Sequence, residues 1–122
     1  MKRKKSGKHK KPKPQYPAAT IAFYGPDKEF ASKVAVGIIP YEGAEAGDME
    51  KWSSKLIDVR NEPSIGYEIK KFLESHNVKT VVYSDGIIGC PHEEGIDYPL
   101  GEYCPKCPFW IGRDRWTGNM LQ

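Results

Sequence analysis

The 122-residue chain has no long apolar stretch; its longest unbroken apolar or glycine run is Val34 to Pro40. A membrane-spanning helix needs roughly 18–20 such residues, so none is expected. The charged N-terminus is followed by no apolar segment of the kind that marks a secretory signal. Cysteine is scarce: there are three, an odd number that rules out a complete disulfide framework. Neither G-x4-G-K-[ST] nor G-x-G-x-x-G occurs, so no phosphate loop is specified. Nothing places a serine beside a His/Asp arrangement, and no small-molecule substrate is indicated. Acid is missing from residues 1–14, which carry eight Lys/Arg. The remaining residues carry 11 basic and 16 acidic side chains, so a basic arm precedes an acidic body. These features together point to a cytoplasmic protein with reduced thiols.

All three cysteines and one of the three histidines fall within "CPHEEGIDYPLGEYCPKC", Cys90 to Cys107. In a reducing compartment such a cluster reads as a metal site. Cys90, His92, Cys104 and Cys107 form C-x-H and C-x2-C halves, joined by eleven residues that include Gly95, Pro99 and Gly101. Zn2+ favours four tetrahedral sulfur and nitrogen ligands. An iron–sulfur cluster usually takes four thiolates, and only three are present. The competing readings are a set of unrelated buried thiols, which does not explain the compatible spacing of Cys90 and His92, and a redox pair, Cys104 and Cys107, which no thioredoxin-like strand and helix surround.

"CPKC" resembles the C-P-x-C knuckle of zinc ribbons and rubredoxin-like sites, with Pro108 where those often place glycine. Proline has no N–H to offer a thiolate, so the local geometry must differ. His92-x-Glu94 followed by Cys104-x2-Cys107 resembles the H-x-E…P-C-x-x-C signature of zinc nucleobase deaminases. That resemblance implies Glu94 as acid/base beside a metal-bound water; a broader zinc-enzyme reading takes Glu93 or Glu94. Two departures oppose the resemblance. Tyr103 replaces the proline, and the short Gly/Pro-containing segment between Glu94 and Cys104 cannot hold the helix and strand that separate the two halves in that fold. The remaining acids, Glu93, Glu94 and Asp97, fit a solvated loop, one of them bonding the His92 ring. His9 and His76 are read as non-ligands.

Residues 1–17 are expected to be a disordered basic arm, because charge and proline leave nothing to bury. Residues 18–122 are expected to form a single small α/β or α+β domain, with the metal segment at about residues 88–118. "TIAFYG" reads as a strand stopped by Gly25-Pro26, and "KVAVGIIP" as a second, with a helix from Asp27 to Val36 as the alternative. Met49, Trp52 and Leu56 at helical spacing behind Asp48 suggest a short helix. Pro63, the stripe Ile65, Ile69, Phe72 and Leu73, and Asn77 as a stop define a clearer one. "KTVVYS" reads as a buried strand ended by Asp85-Gly86.

The arm residues Lys2, Arg3, Lys4, Lys5, Lys8, Lys10, Lys11 and Lys13 have the composition of a polyphosphate-binding segment. Arg113, Arg115 and Trp116 could add phosphate contacts and base stacking, while Phe109 and Trp110 suit a lid over the knuckle. The leading expectation is a non-enzymatic, zinc-stabilised protein that binds nucleic acid or a ribonucleoprotein. The alternatives are a small zinc-dependent hydrolase or deaminase-like enzyme, and a protein–protein adaptor with a structural zinc.

Overall fold

The computed structural model describes residues 14–111. Within them, a four-stranded mixed sheet and one α-helix give an α+β fold. Strands β1 (Ala18–Tyr24), β2 (Lys33–Ile39) and β3 (Met49–Ser53) form an antiparallel meander. Helix α1 (Pro63–Ser75) then carries the chain to β4 (Thr80–Ile87), which lies parallel to β1. The sheet order is β3-β2-β1-β4.

Register explains the core. Ile21 sits opposite Val36, Ala19 opposite Ile38, and Val34 opposite Trp52, so these side chains share one face. Ile65 of α1 is buried against them, with Ile69, Phe72 and Leu73 packed alongside. Each such aliphatic side chain contributes about 1.5–3 kcal/mol when fully buried. β2 is buried on both faces, as its unbroken β-branched and small-residue run requires. On the second face, Gly37 lies under Ala46 and the Met49 methyl.

The helix has the first-turn proline, apolar stripe and Asn77 stop read from the sequence, and a cap that was not. Glu62 caps it by accepting from the Ser64 N–H, and Pro63 occupies its first turn. Asn77 takes a left-handed φ of 53°, and the Val78 N–H donates back to the Leu73 carbonyl, which closes the C-terminus.

Two local expectations are corrected. Residues 49–53 are a strand, not a helix, and Asp48 precedes that strand instead of capping a helix. Strand pairing with β2 outweighs a helical spacing carried by only three apolar residues, and Leu56 ends up exposed. β4 is a strand as expected, but it is the sheet's edge and not buried: Val82 and Tyr83 are exposed, and the strand runs past Asp85 to Ile87.

Longer-range ties lock the fold's corners. Asp58 accepts from the Ala31 N–H at 2.8 Å and pairs with Arg60 at 2.7 Å. His76, at the end of α1, reaches Asp48 at 2.9 Å and stacks at a tilt on Phe72. Ahead of β1, the Gln15 N–H donates to the Thr80 hydroxyl and the Pro17 carbonyl accepts from the Lys79 N–H. No helix among the described residues is long and apolar enough to cross a membrane.

Candidate metal centre

The site grows from the C-terminal ends of the parallel pair β1 and β4. Beyond the strands, the Ile88 N–H donates to the Phe23 carbonyl and the Gly25 N–H to the Gly89 carbonyl. This delivers Cys90 directly off the sheet's end. Gly25 is required there, because a Cβ would lie 1.8 Å from the Phe30 carbonyl oxygen.

The second half of the site is folded back by the loop at 94–101. Gly95 and Gly101 hold φ values of 86° and 82°, a region where side chains are strained. Glu94 Oε2 accepts from the Gly101 N–H at 2.6 Å and Asp97 Oδ2 from the Glu93 N–H at 2.7 Å, so both carboxylates set the loop's shape. The knuckle then turns at Cys104–Cys107, where the Cys107 N–H meets the Cys104 carbonyl at 3.4 Å. Trp110 pins it to the sheet: its indole Nε1–H donates to the Gly25 carbonyl at 2.8 Å, in a buried bond. The expected lid role holds for Trp110, which is buried in the core cluster, and Phe109 packs against that cluster edge-on to Trp110.

Cys90, His92, Cys104 and Cys107 converge, with one ligand atom from each lying within 4.8 Å of every other. His92 Nδ1 is 3.3 Å from the Cys90 sulfur, 3.4 Å from that of Cys104 and 3.5 Å from that of Cys107. One ring nitrogen cannot hydrogen-bond three sulfurs at once. Near-equal distances are instead the pattern of four donors around a shared centre. An ion with bonds of about 2.3 Å to sulfur and about 2.0–2.1 Å to nitrogen, at tetrahedral angles, separates sulfur from nitrogen by about 3.6 Å. The residues therefore fit a small tetrahedral metal ion.

The electrostatics agree. Burial pushes the Cys107 thiol well above its ordinary pKa, and the neighbouring Cys90 and Cys104 push it further. Burial likewise raises Cys90, although the His92 N–H donates to its sulfur at 3.2 Å. Cys90 and Cys107 thus resist ionising on their own; a dication bound there would reverse that preference and hold them as thiolates.

The nearby acids are already engaged. Glu93 pairs with Lys51 at 2.8 Å and with Lys33 at 3.2 Å, and these ammonium groups hold its carboxyl below the usual range. Lys33 also donates to the Pro91 carbonyl, fixing the Cys90–His92 turn against β2. The expected carboxylate bond to the His92 ring does not form; the acids brace the loop and the sheet instead. Sequence reasoning missed this lysine clamp, because Lys33 and Glu93 meet only once β2 is paired.

The arm residues Lys2, Arg3, Lys4, Lys5, Lys8, Lys10, Lys11 and Lys13 lie outside the described residues, as do Arg113, Arg115 and Trp116. No family model, no curated protein and no solved structure matches the chain.

Proposed function

We propose that this is a non-enzymatic protein, stabilised by one zinc ion, that binds nucleic acid or a ribonucleoprotein through its basic N-terminal arm. The observation that carries the reading is charge separation: eight Lys/Arg and no acid in residues 1–14, ahead of a body in which acids outnumber bases. Each lysine or arginine that neutralises a phosphate releases counterions, which gives salt-sensitive binding without sequence preference. The acidic body repels the polyanion at long range, so the arm is the segment suited to first contact.

Zinc is favoured over other ions by the donor set of three sulfurs and one imidazole nitrogen at tetrahedral spacing. Bound there, it would supply a cross-link between the end of the sheet and the knuckle. Four protein donors fill such a shell and leave no position for a substrate water. Glu93 and Glu94, the acid/base candidates of an enzymatic reading, are tied to two lysines and to a backbone N–H respectively. Both points favour a structural ion.

The test is a salt titration of binding to a generic RNA and a generic DNA duplex, comparing the full chain with one lacking residues 1–14. The expected result is binding that weakens steeply with salt and disappears on truncation. Absence of binding by the full chain at low salt would refute the reading and favour an adaptor that docks protein. Metal content by mass spectrometry should give one zinc per chain.

A further inference from the structure

Beside the metal cluster, β3's C-terminal end, the turn after β1 and the knuckle enclose a cleft of about 490 Å³. Phe30, Lys33, Ser54, Lys55, His92 and Lys106 are among its lining residues. Among the described residues, no carboxylate lines it. On residues 14–111, where nine basic side chains face fifteen acidic ones, an acid-free cleft holding three lysines stands apart.

The groups in it are not all spoken for. Lys33 is neutralised by Glu93. Lys55 and Lys106 are exposed and have no ion-pair partner among the described residues. The Ser54 hydroxyl accepts from the Ile57 N–H, which leaves its own O–H to donate. His92 turns Nδ1 to the three sulfurs, so Nε2 lies on the far side of the ring. A metal-bound imidazole usually gives its second N–H to an acceptor, and among the described residues none takes it. Phe30 is half-buried at the cleft, with an aromatic ring available beside the cations.

We infer that this cleft is a binding site for single-stranded nucleic acid. Lys55 and Lys106 would contact the phosphodiester backbone, the Ser54 hydroxyl and His92 Nε2–H would donate to its oxygens, and a base would stack on Phe30. A cationic groove with an aromatic platform is the recurring form of single-strand recognition. The cleft's size suits a ligand of about one nucleotide. The inference rests on the proposed nucleic-acid role, and it assigns the body a contact separate from the arm.

The test measures fluorescence anisotropy of a labelled short oligouridylate with the full-length, zinc-loaded protein. The parent is compared with Lys55→Glu/Lys106→Glu, with the charge-matched control Lys70→Glu/Lys79→Glu, and with the chain lacking residues 1–14. The cleft variant should bind on the order of tenfold more weakly, and its log–log salt slope should fall by about 1.4, as expected for two lost single-strand phosphate contacts. The control should change binding less than twofold. Equal weakening by both double variants, or none by the cleft variant while arm deletion abolishes binding, overturns the cleft and leaves the arm reading standing. If the parent binds no oligonucleotide, the nucleic-acid reading itself falls. Photocross-linking of iodouridine to the unmodified protein gives a readout independent of variant folding. Cross-links at Phe30 support the site, and cross-links confined to residues 1–14 exclude it.

Discussion

Gly25→Ala should be among the most damaging single-methyl additions to this chain. The new Cβ would lie 1.8 Å from the Phe30 carbonyl oxygen and 3.0 Å from its carbon. Both atoms belong to the backbone, so no side-chain rotation relieves the clash. Nor can Gly25 move freely: its N–H donates to the Gly89 carbonyl at 2.8 Å, and its carbonyl accepts the buried Trp110 indole at 2.8 Å. Overpacking costs about 1–3 kcal/mol, and each hydrogen bond broken in the shift adds about 1 kcal/mol. The sum, about 3–5 kcal/mol, is a large part of the roughly 5–15 kcal/mol that holds a typical domain folded. It corresponds to a Tm lower by about 12–20 °C for a body of this size. The assay is urea unfolding followed by tryptophan fluorescence, with zinc fixed in excess so that metal linkage is constant. Gly66→Ala is the internal control. It adds the same methyl in open space on the exposed side of α1 and should stabilise by about 0.5–1 kcal/mol. A Gly25→Ala protein within about 0.5 kcal/mol of the parent, on the scale of an ordinary surface substitution, would refute the close-packed corner.

Chelation should lower the melting temperature and Cys104→Ser should remove most of the metal dependence, as scanning calorimetry with and without zinc would show. Trp110→Phe keeps most of the apolar volume but leaves the Gly25 carbonyl without its indole donor; a loss of about 1–3 kcal/mol in urea unfolding is expected. Arg60 holds the Asp58 carboxyl well below the usual carboxylate range. Because the folded value lies below the unfolded one, the stabilisation is full above about pH 4 and is lost as acid protonates the group. Asp58→Asn should therefore destabilise at neutral pH, and the gap to the parent should narrow in urea titrations carried below pH 4. The Phe72 carbonyl, then Asp48, raise the His76 pKa, so its contribution is complete below about pH 6.5 and fades as pH rises through the folded value. NMR titration should place His76 above its ordinary value and show it moving back down in Asp48→Asn.

What could be read from sequence was what rests on neighbours along the chain. The candidate ligand set, the first-turn proline, stripe and stop of α1 and the run of β2 are local, and the structure brings each into place. What could not be read depends on pairing across the sheet. Met49, Trp52 and Leu56 fit a helical face as well as a strand with mixed exposure, and only contact with β2 decides. "KTVVYS" has a buried strand's composition, yet its exposure follows from standing at the sheet's edge. The Lys33 and Lys51 clamp on Glu93 joins residues from β2, β3 and the metal loop, which no spacing rule connects. The lysine-lined cleft is likewise assembled from four separate segments.

The bond from Trp110 to Gly25 joins residues 85 positions apart. It bears on the order in which the chain is made. β1 and β2 can pair as soon as both have left the ribosome, and the meander can add β3. β1's other edge has no partner until β4 arrives, and the corner at Gly25 stays open until the knuckle has followed. Loop closure over such separations is slow relative to local pairing. Until β4 and the knuckle have been made, a nascent chain thus has one sheet edge bare and two of the four sulfur and nitrogen donors still missing. Cys104 and Cys107 are the last of the four donors to arrive, so an ion held by all four would be captured only after every strand of the sheet has been made.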